Sequence, residues 1–392
     1  MTQATECSEK PVTAANTAAT ARILYVHGRS TCHGGSPTSL LDIVTHLDRD
    51  RFEPLVLCPA AGELSERLGE VEVPVVTRQF VELKRETALQ FGLDVAWYHR
   101  WLRRESIALV HVNTLDWRPS VVLAARLRGI PCVQHVRNLP HQERRNFSFR
   151  WANRIITVSD DVGRPFREDP LFRDKTRTIY NPVDLSCYED HEDRRPDIAA
   201  DGRPVIGFVG QLKAGKGVHT LIEALSRVLE RHPTALLVIV GCDPSETGDY
   251  ERECRRLAEE RRIEPQVIFT GFRRDVPAWM RTFDVFVLPT RYETFGKVVI
   301  EAMAAGCPVV ASAVGGIPEI LCRPELGTLI PPDDPEATAQ AIIRYLQEPE
   351  LARKVGDAGR EHVRKHFSLD AMMRKLESLY DELLAGSRPT QV

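Results

Sequence analysis

Two glutamates, Glu293 and Glu301, are separated by seven residues in RYETFGKVVIEAMAAG (291–306), where a loop runs through glycine into a helical segment. A carboxylate near a helix start can serve stability alone, because the helix dipole favours negative charge there. A pair around the open end of a helix can also hold an anionic, hydroxyl-rich ligand. A ribose wants a carboxylate for its vicinal hydroxyls, and Glu301 is placed for that. A sugar wants hydrogen bonds beyond a diphosphate, which Glu293 and the backbone around Phe295, Gly296 and Lys297 could supply. The next loop, VGGIPEI (314–320), brings Gly315 and Gly316, whose lack of a side chain lets backbone N–H groups approach an anion closely. Val298, Ile300, Met303 and Ala304 read as the face that packs the helix on a sheet.

A second candidate, VGQLKAGKG (209–217), nearly matches the P-loop pattern G-x-x-x-x-G-K-[ST]. Gly210, Gly215 and Lys216 fit, but Gly217 stands where a hydroxyl must hold magnesium, and no later strand ends in an obvious metal-binding aspartate. What survives is a glycine loop, a helix start and Lys216 as the leading cation for a phosphate. In HGRSTCHGGSPTSLLDI (27–43) the regular G-x-G-x-x-G spacing of a dinucleotide site is missing, as is an acidic strand end about 20 positions on. Gly34 and Gly35 therefore read as room for a ligand held mainly elsewhere. His27, His111 and His135 fall at or near strand ends; one such histidine is usually structural, whereas three facing one cleft are candidates for chemistry. No set has the spacing of H-E-x-x-H, so no protein-held metal is expected. Finally, HVRNLPHQERRNFSFRWANR (135–154) interleaves arginines with Phe147, Phe149 and Trp151. That pattern suits anionic headgroups at a membrane face or a phosphorylated acceptor, or else a helix whose aromatics pack inward.

These residues need elements to position them. Short β-rich apolar runs alternate with longer amphipathic segments, as when helices cross over between parallel strands. Expected strands are 22–27, 53–58, 73–76, 108–113, 131–136 and 154–159, with helices at 39–47, 87–105 and 119–128. A charged segment at 189–204 without apolar period reads as a linker. The alternation then restarts, with strands at 205–210, 235–241, 266–271, 285–289, 308–312 and 328–331. The expected organisation is a tail at 1–20, an α/β domain at 21–188, the linker, a second α/β domain at 205–368 and a last amphipathic helix at 369–386. Both domains read as doubly wound sheets, whose ligands lie beyond the carboxyl ends of the strands, so two facing domains make one deep cleft.

The 392 residues suit two domains better than one. A net charge of −3 gives no support for a general nucleic-acid binder. Nine scattered cysteines, never spaced C-x-x-C, suggest neither a disulfide scaffold nor a zinc site and point to the cytoplasm. The N-terminal stretch lacks the pattern of a secretory signal.

From HGGSPTSLLDI through HVRNL, IITVSDDV, IYNPVD, GFVGQLKAGKG and VIFTGF to YETFGKVVIEAMAAGCPVVASAVGGIPEI, the chain resembles the retaining GT-B glycosyltransferases of family 4. The last block is similar to that family's E-x7-E signature. The resemblance implies a metal-independent transfer, with retention, from a nucleotide-diphosphate sugar (a UDP- or GDP-sugar) to a glycan, glycolipid or small-molecule hydroxyl in polysaccharide biosynthesis, with no covalently bound cofactor. It implies that Glu293 and Glu301 contact the donor sugar and its ribose, that Lys216 binds the diphosphate, that Gly35 lies near the phosphates and that His135 sits beside the transferred sugar. It also implies that the first domain takes the acceptor, that the second takes the nucleotide sugar and that the last helix crosses back to the first domain. The chain departs from the pattern at Gln211, where many members carry a phosphate-binding Arg, and at Val136, where many carry Asp. Those two departures keep a non-catalytic sugar-nucleotide binder as the alternative, beside an NTPase or kinase and a GT-B phosphorylase or epimerase.

Overall fold

The computed structural model describes residues 20–32, 35–80, 87–113, 119–138, 148–188, 196, 198 and 202–387. The first half folds around seven strands: β1 (Ala21–Val26), β2 (Phe52–Cys58), β3 (Val75–Thr77), β4 (Ile107–Val112), β5 (Cys132–Val136), β6 (Arg154–Thr157) and β7 (Thr176–Thr178). The second half has six: β8 (Val205–Val209), β9 (Leu236–Val240), β10 (Val267–Phe269), β11 (Val285–Leu288), β12 (Val309–Ser312) and β13 (Thr328–Ile330). Each set forms one parallel sheet, in the orders β3-β2-β1-β4-β5-β6-β7 and β10-β9-β8-β11-β12-β13. The central strands are buried along their length, as the unbroken apolar runs VIGFV and LLVIV require when helices cover both faces.

In both sheets the strand order reverses beside the first strand, between β1 and β4 and between β8 and β11. At that reversal the flanking crossover helices diverge to opposite faces and leave a crevice at the carboxyl edge. Twelve of the strands match the sequence expectation within a few residues. The thirteenth, β7, has no counterpart among the expected strands: Thr-Arg-Thr is three polar residues long and lies at a sheet edge, where neither length nor alternation gives a signal.

The two halves share packing. One apolar cluster runs from the second sheet to Val136, Phe149, Ile155 and Phe166 of the first half. Where the chain passes between halves, Val183 N–H donates to Phe367 O at 2.8 Å, so the two crossings lie side by side. Helix Leu369–Ser387 then packs Met372, Met373, Leu376, Leu379 and Tyr380 into the core of the first half, among Ile23, Phe52 and Val56. Arg51 pairs with Glu377 at 3.1 Å and also with Asp381, while Arg154 pairs with Glu382. Among the described residues no helix is long and apolar enough to cross a membrane.

Candidate active site

At the reversal point of the second sheet, the loop after β8 makes one helical turn, Ala214–Lys216, and is stopped by Gly217 at φ 74°. A Cβ on Gly217 would lie 1.9 Å from the carbonyl oxygen of Pro289, just past β11, so only glycine permits the two loops to touch. Arg291 N–H and the Thr290 hydroxyl both donate to Gly215 O, at 2.8 and 2.9 Å. This zipper sets Lys216 facing Glu293, with Nζ donating to Oε2 at 2.5 Å. Thr294 N–H donates to the other carboxylate oxygen at 3.1 Å.

The loop after β12 reaches the same place. Gly315 has φ 55°, and a Cβ there would lie 1.6 Å from Glu293 O. Gly316 N–H is directed at that same oxygen, 3.4 Å away. The sequence suggests N–H groups free for an anion at both glycines; in the structure their first task is to let this loop lie against Glu293. Gly296, at φ 99°, starts helix Lys297–Ala304. Its buried face is Val299, Ile300, Ala302, Met303 and Ala304, with Val298 only half-buried, one position off the expected set. Phe295 turns its ring into the core, stacked 5.6 Å from Tyr180, so only its backbone borders the site.

Glu301, one turn into that helix, is half-buried, and while its backbone carbonyl accepts from Ala305 N–H at 3.1 Å, its carboxylate accepts no hydrogen bond among the described residues. Burial raises its carboxyl pKa, opposed by the nearby Lys297 charge and reinforced by Asp42. Lys297 itself crosses between halves, Nζ donating to Asp42 Oδ2 at 3.2 Å. Two further contacts join the halves: the Ser159 hydroxyl donates to Thr294 O at 2.6 Å, and Glu319 accepts from the N–H groups of Asp160 and Asp161 at 2.7 and 2.9 Å. Glu319 thus caps the start of helix Asp160–Glu168, the favoured place for a carboxylate.

On the first sheet, Gly35 opens helix Gly35–His46, exposed and with nothing within 4 Å of where a Cβ would be; Gly34 lies outside the described residues. Gln211 is exposed after β8. His135 and His111 are buried and joined, Nδ1 of His135 lying 3.2 Å from Nε2 of His111. Desolvation lowers the pKa of both, that of His111 to about 3, so both are neutral at pH 7. The structure therefore gathers Lys216, Glu293, Phe295, Gly296, Lys297, Glu301, Gly315 and Gly316 at the edge of one sheet, and sets His135 inside the opposite half.

Sequence reasoning misses Asn113, Arg137 and Asp42. Asn113 Oδ1 accepts from Arg137 at 2.7 Å, and its Nδ2 donates to Ser36 O at 3.3 Å. In the sequence Arg137 belongs to the basic-aromatic stretch 135–154. It is 8% exposed and Phe149 3%, so neither is available to a membrane face. Trp151 packs against the apolar cluster of the first half, while 139–147, including Phe147, lie outside the described residues.

Comparison with known proteins bears on the family and the fold. The family description "Glycosyl transferases group 1" matches residues 189–362, and "Glycosyltransferase Family 4" matches 33–186. A lipopolysaccharide core biosynthesis mannosyltransferase, LpcC, of Rhizobium leguminosarum bv. viciae is 29% identical over 63% of this chain and 70% of its own. A D-inositol 3-phosphate glycosyltransferase of Corynebacterium glutamicum is 31% identical over 58% of this chain and 55% of its own. Spore coat protein SA of Bacillus subtilis is 29% identical, and the match spans 64% of its length. A glycosyltransferase of Rickettsia africae superposes with TM-score 0.83 at 20% identity, over 93% of this chain and 99% of its own. Anabaena HepE in complex with UDP superposes with TM-score 0.80 at 23% identity, over 92% of this chain and 100% of its own. The two family matches together take in most of the chain, one for each sheet, and the likeness to solved structures covers both sheets at once: the chain belongs to the group 1, family 4 glycosyltransferases and has their two-domain GT-B fold.

Proposed function

We propose that the protein transfers a sugar from a nucleotide-diphosphate sugar to a hydroxyl acceptor, with retention and without a metal ion. The observation that carries this reading is the Lys216–Glu293 pair at the reversal point of the second sheet, next to the unpartnered carboxylate of Glu301. Transfer is limited by charge building on the departing diphosphate and on the oxocarbenium-like sugar. A preset cation stabilises the first without reorganisation, and such fixed electrostatic stabilisation usually lowers the barrier more than any other single effect. Lys216 is that cation, aided by the open start of helix Lys297–Ala304. Glu301 takes the ribose hydroxyls. Glu293, tied to Lys216 and Thr294 N–H, is a binding group for the donor sugar and not a free nucleophile. Retention then proceeds by attack on the face the diphosphate leaves, with the departing phosphate taking the acceptor proton.

Gly35 at the first domain's reversal point would lie near the phosphates, and closure of the halves over the donor would keep water out. A solved relative in fold holds UDP and glucose, and another of its structures UDP-glucose; a mannosyltransferase and an inositol-phosphate glycosyltransferase are among the relatives in sequence. These support a nucleotide sugar as donor and a glycan, glycolipid or polyol as acceptor. The test is thermal melting with UDP, GDP, ADP, TDP and ATP, each in EDTA and in magnesium. A ligand at 100 times its dissociation constant stabilises by about 2.7 kcal/mol. Stabilisation by a nucleoside diphosphate in EDTA is expected; stabilisation by ATP with magnesium alone would instead favour an NTPase. A protein that binds the nucleotide sugar yet never releases its diphosphate would be a binder only.

A further inference from the structure

A buried hydrogen-bonded chain runs through the first half. The Tyr25 and Tyr380 hydroxyls lie 3.2 Å apart, Tyr380 Oη is 2.5 Å from His111 Nδ1, His111 Nε2 is 3.2 Å from His135 Nδ1, and Arg137 Nη2 is 3.3 Å from that same Nδ1. A tyrosine hydroxyl and a neutral imidazole can each donate or accept, so four of the five members could be wired in either direction. Arginine has no acceptor. Arg137 therefore obliges His135 Nδ1 to offer its lone pair, and a neutral His135 must carry its proton on Nε2. His111 Nε2 then shares that lone pair as a second donor, and His111 Nδ1 is left to accept the Tyr380 hydroxyl at 2.5 Å, which turns that proton away from its longer donation to Tyr25 at 3.2 Å. The guanidinium that sets this direction is itself fixed: Asn113 Oδ1 accepts from its Nε and Nη2 at 3.2 and 2.7 Å, and Asn181 Oδ1 from its Nη1 at 2.7 Å.

The orientation leaves a mark at the other ring nitrogen. His135 Nε2 is buried and has no hydrogen-bond partner among the described residues. A buried donor without an acceptor is unfavourable, and a native structure keeps one where a ligand or water completes it. His135 stands in the last two residues of β5, at the carboxyl edge of its sheet. We propose that Arg137 is a positioning residue that holds His135 as the Nε2–H tautomer, making this histidine a hydrogen-bond donor to an oxygen of the bound nucleotide sugar and unfit to accept the acceptor's proton. The donation rests on the transferase reading above; the tautomer does not. Arg137 here supplies the polar contact that Val136, buried and apolar, cannot make from the neighbouring position.

The test is long-range 1H–15N correlation spectroscopy at pH 7 on the full chain labelled at histidine nitrogen, with His135 assigned by the signal lost in His135→Gln. In the wild type, Nδ1 of His135 should be unprotonated and Nε2 protonated. Arg137→Met frees the chain to reverse, and a second tautomer should appear; Arg137→Lys, which also only donates, should keep one. Addition of UDP-glucose or GDP-mannose, whichever raises the melting temperature, should move the Nε2–H signal. An Nδ1–H or mixed tautomer in the wild type, or a folded Arg137→Met protein with the wild-type signature, overturns the assignment. Should Arg137→Met fail to fold, the wild-type and Arg137→Lys spectra decide. Binding of either nucleotide sugar without movement of the signal overturns the donation, whereas binding of neither counts against the transferase reading and leaves the tautomer judged on the ligand-free spectrum.

Discussion

At the scale of the residue, the site is a set of charges whose partners are held ready. Lys216 is paired with Glu293, the contact a phosphate would have to displace under the proposed function, and the Glu301 carboxylate is left without a hydrogen-bond donor among the described residues. The glutamates and the lysine are legible because their spacing after strand ends is a local property of the chain. Asn113, Arg137 and Asp42 are not, because what holds them in place lies far along the chain: Asn113 and Arg137 meet across 24 positions, and Asp42 meets Lys297 across 255. The buried histidines carry a prediction of their own. His111 has a pKa of about 3 when folded, against an ordinary value of 6.5. The unfolded chain therefore takes up a proton that the folded one refuses, so stability is full above the unfolded value and falls as pH drops through it. Between pH 7 and 5, His111 alone should remove ~2 kcal/mol. Urea unfolding at the two values should show this loss, and His111→Gln should flatten the slope; equal slopes would contradict a buried neutral His111.

At the scale of the element, glycines decide where loops can meet. The strands are readable from apolar runs, and the helix starts from the glycines before them. What one sequence does not carry is which loop a glycine touches: Gly315 looks like an anion site and is a seat for the Glu293 backbone. Contrasting substitutions check the distinction. Gly217→Ala puts a side chain into a left-handed turn and against Pro289 O, and should cost at least ~2 kcal/mol and displace Lys216. Gly92→Ala, on an exposed face inside helix Ala88–Arg104 with nothing within 4 Å, should stabilise by ~0.5–1 kcal/mol. Thermal melts of the two proteins should move in opposite directions; equal losses would mean that the left-handed turn and the contact with Pro289 are not what sets Gly217 apart.

At the scale of the whole molecule, two sheets set their reversal points toward each other, and the last helix is part of the first domain's core. Seven apolar side chains of that helix, from Leu369 to Leu383, complete the cluster around Ile23 and Phe52. Ending the chain after Ser368 should leave the first half unable to melt cooperatively, which calorimetry would show as loss of one transition. The Asp42–Lys297 pair between halves is partly exposed, so Asp42→Asn should change stability by less than ~1 kcal/mol. The two-sheet architecture is legible because the α/β alternation occurs twice with a charged linker between, whereas the contacts that join the halves leave no periodic trace. The most direct measurement of the central claim is calorimetric titration of the wild type and Lys216→Met with UDP and GDP in EDTA. One diphosphate should bind the wild type and bind Lys216→Met roughly 10- to 100-fold more weakly, the worth of one charge-assisted contact. Equal affinity in the two proteins, or no binding of either diphosphate, would contradict it.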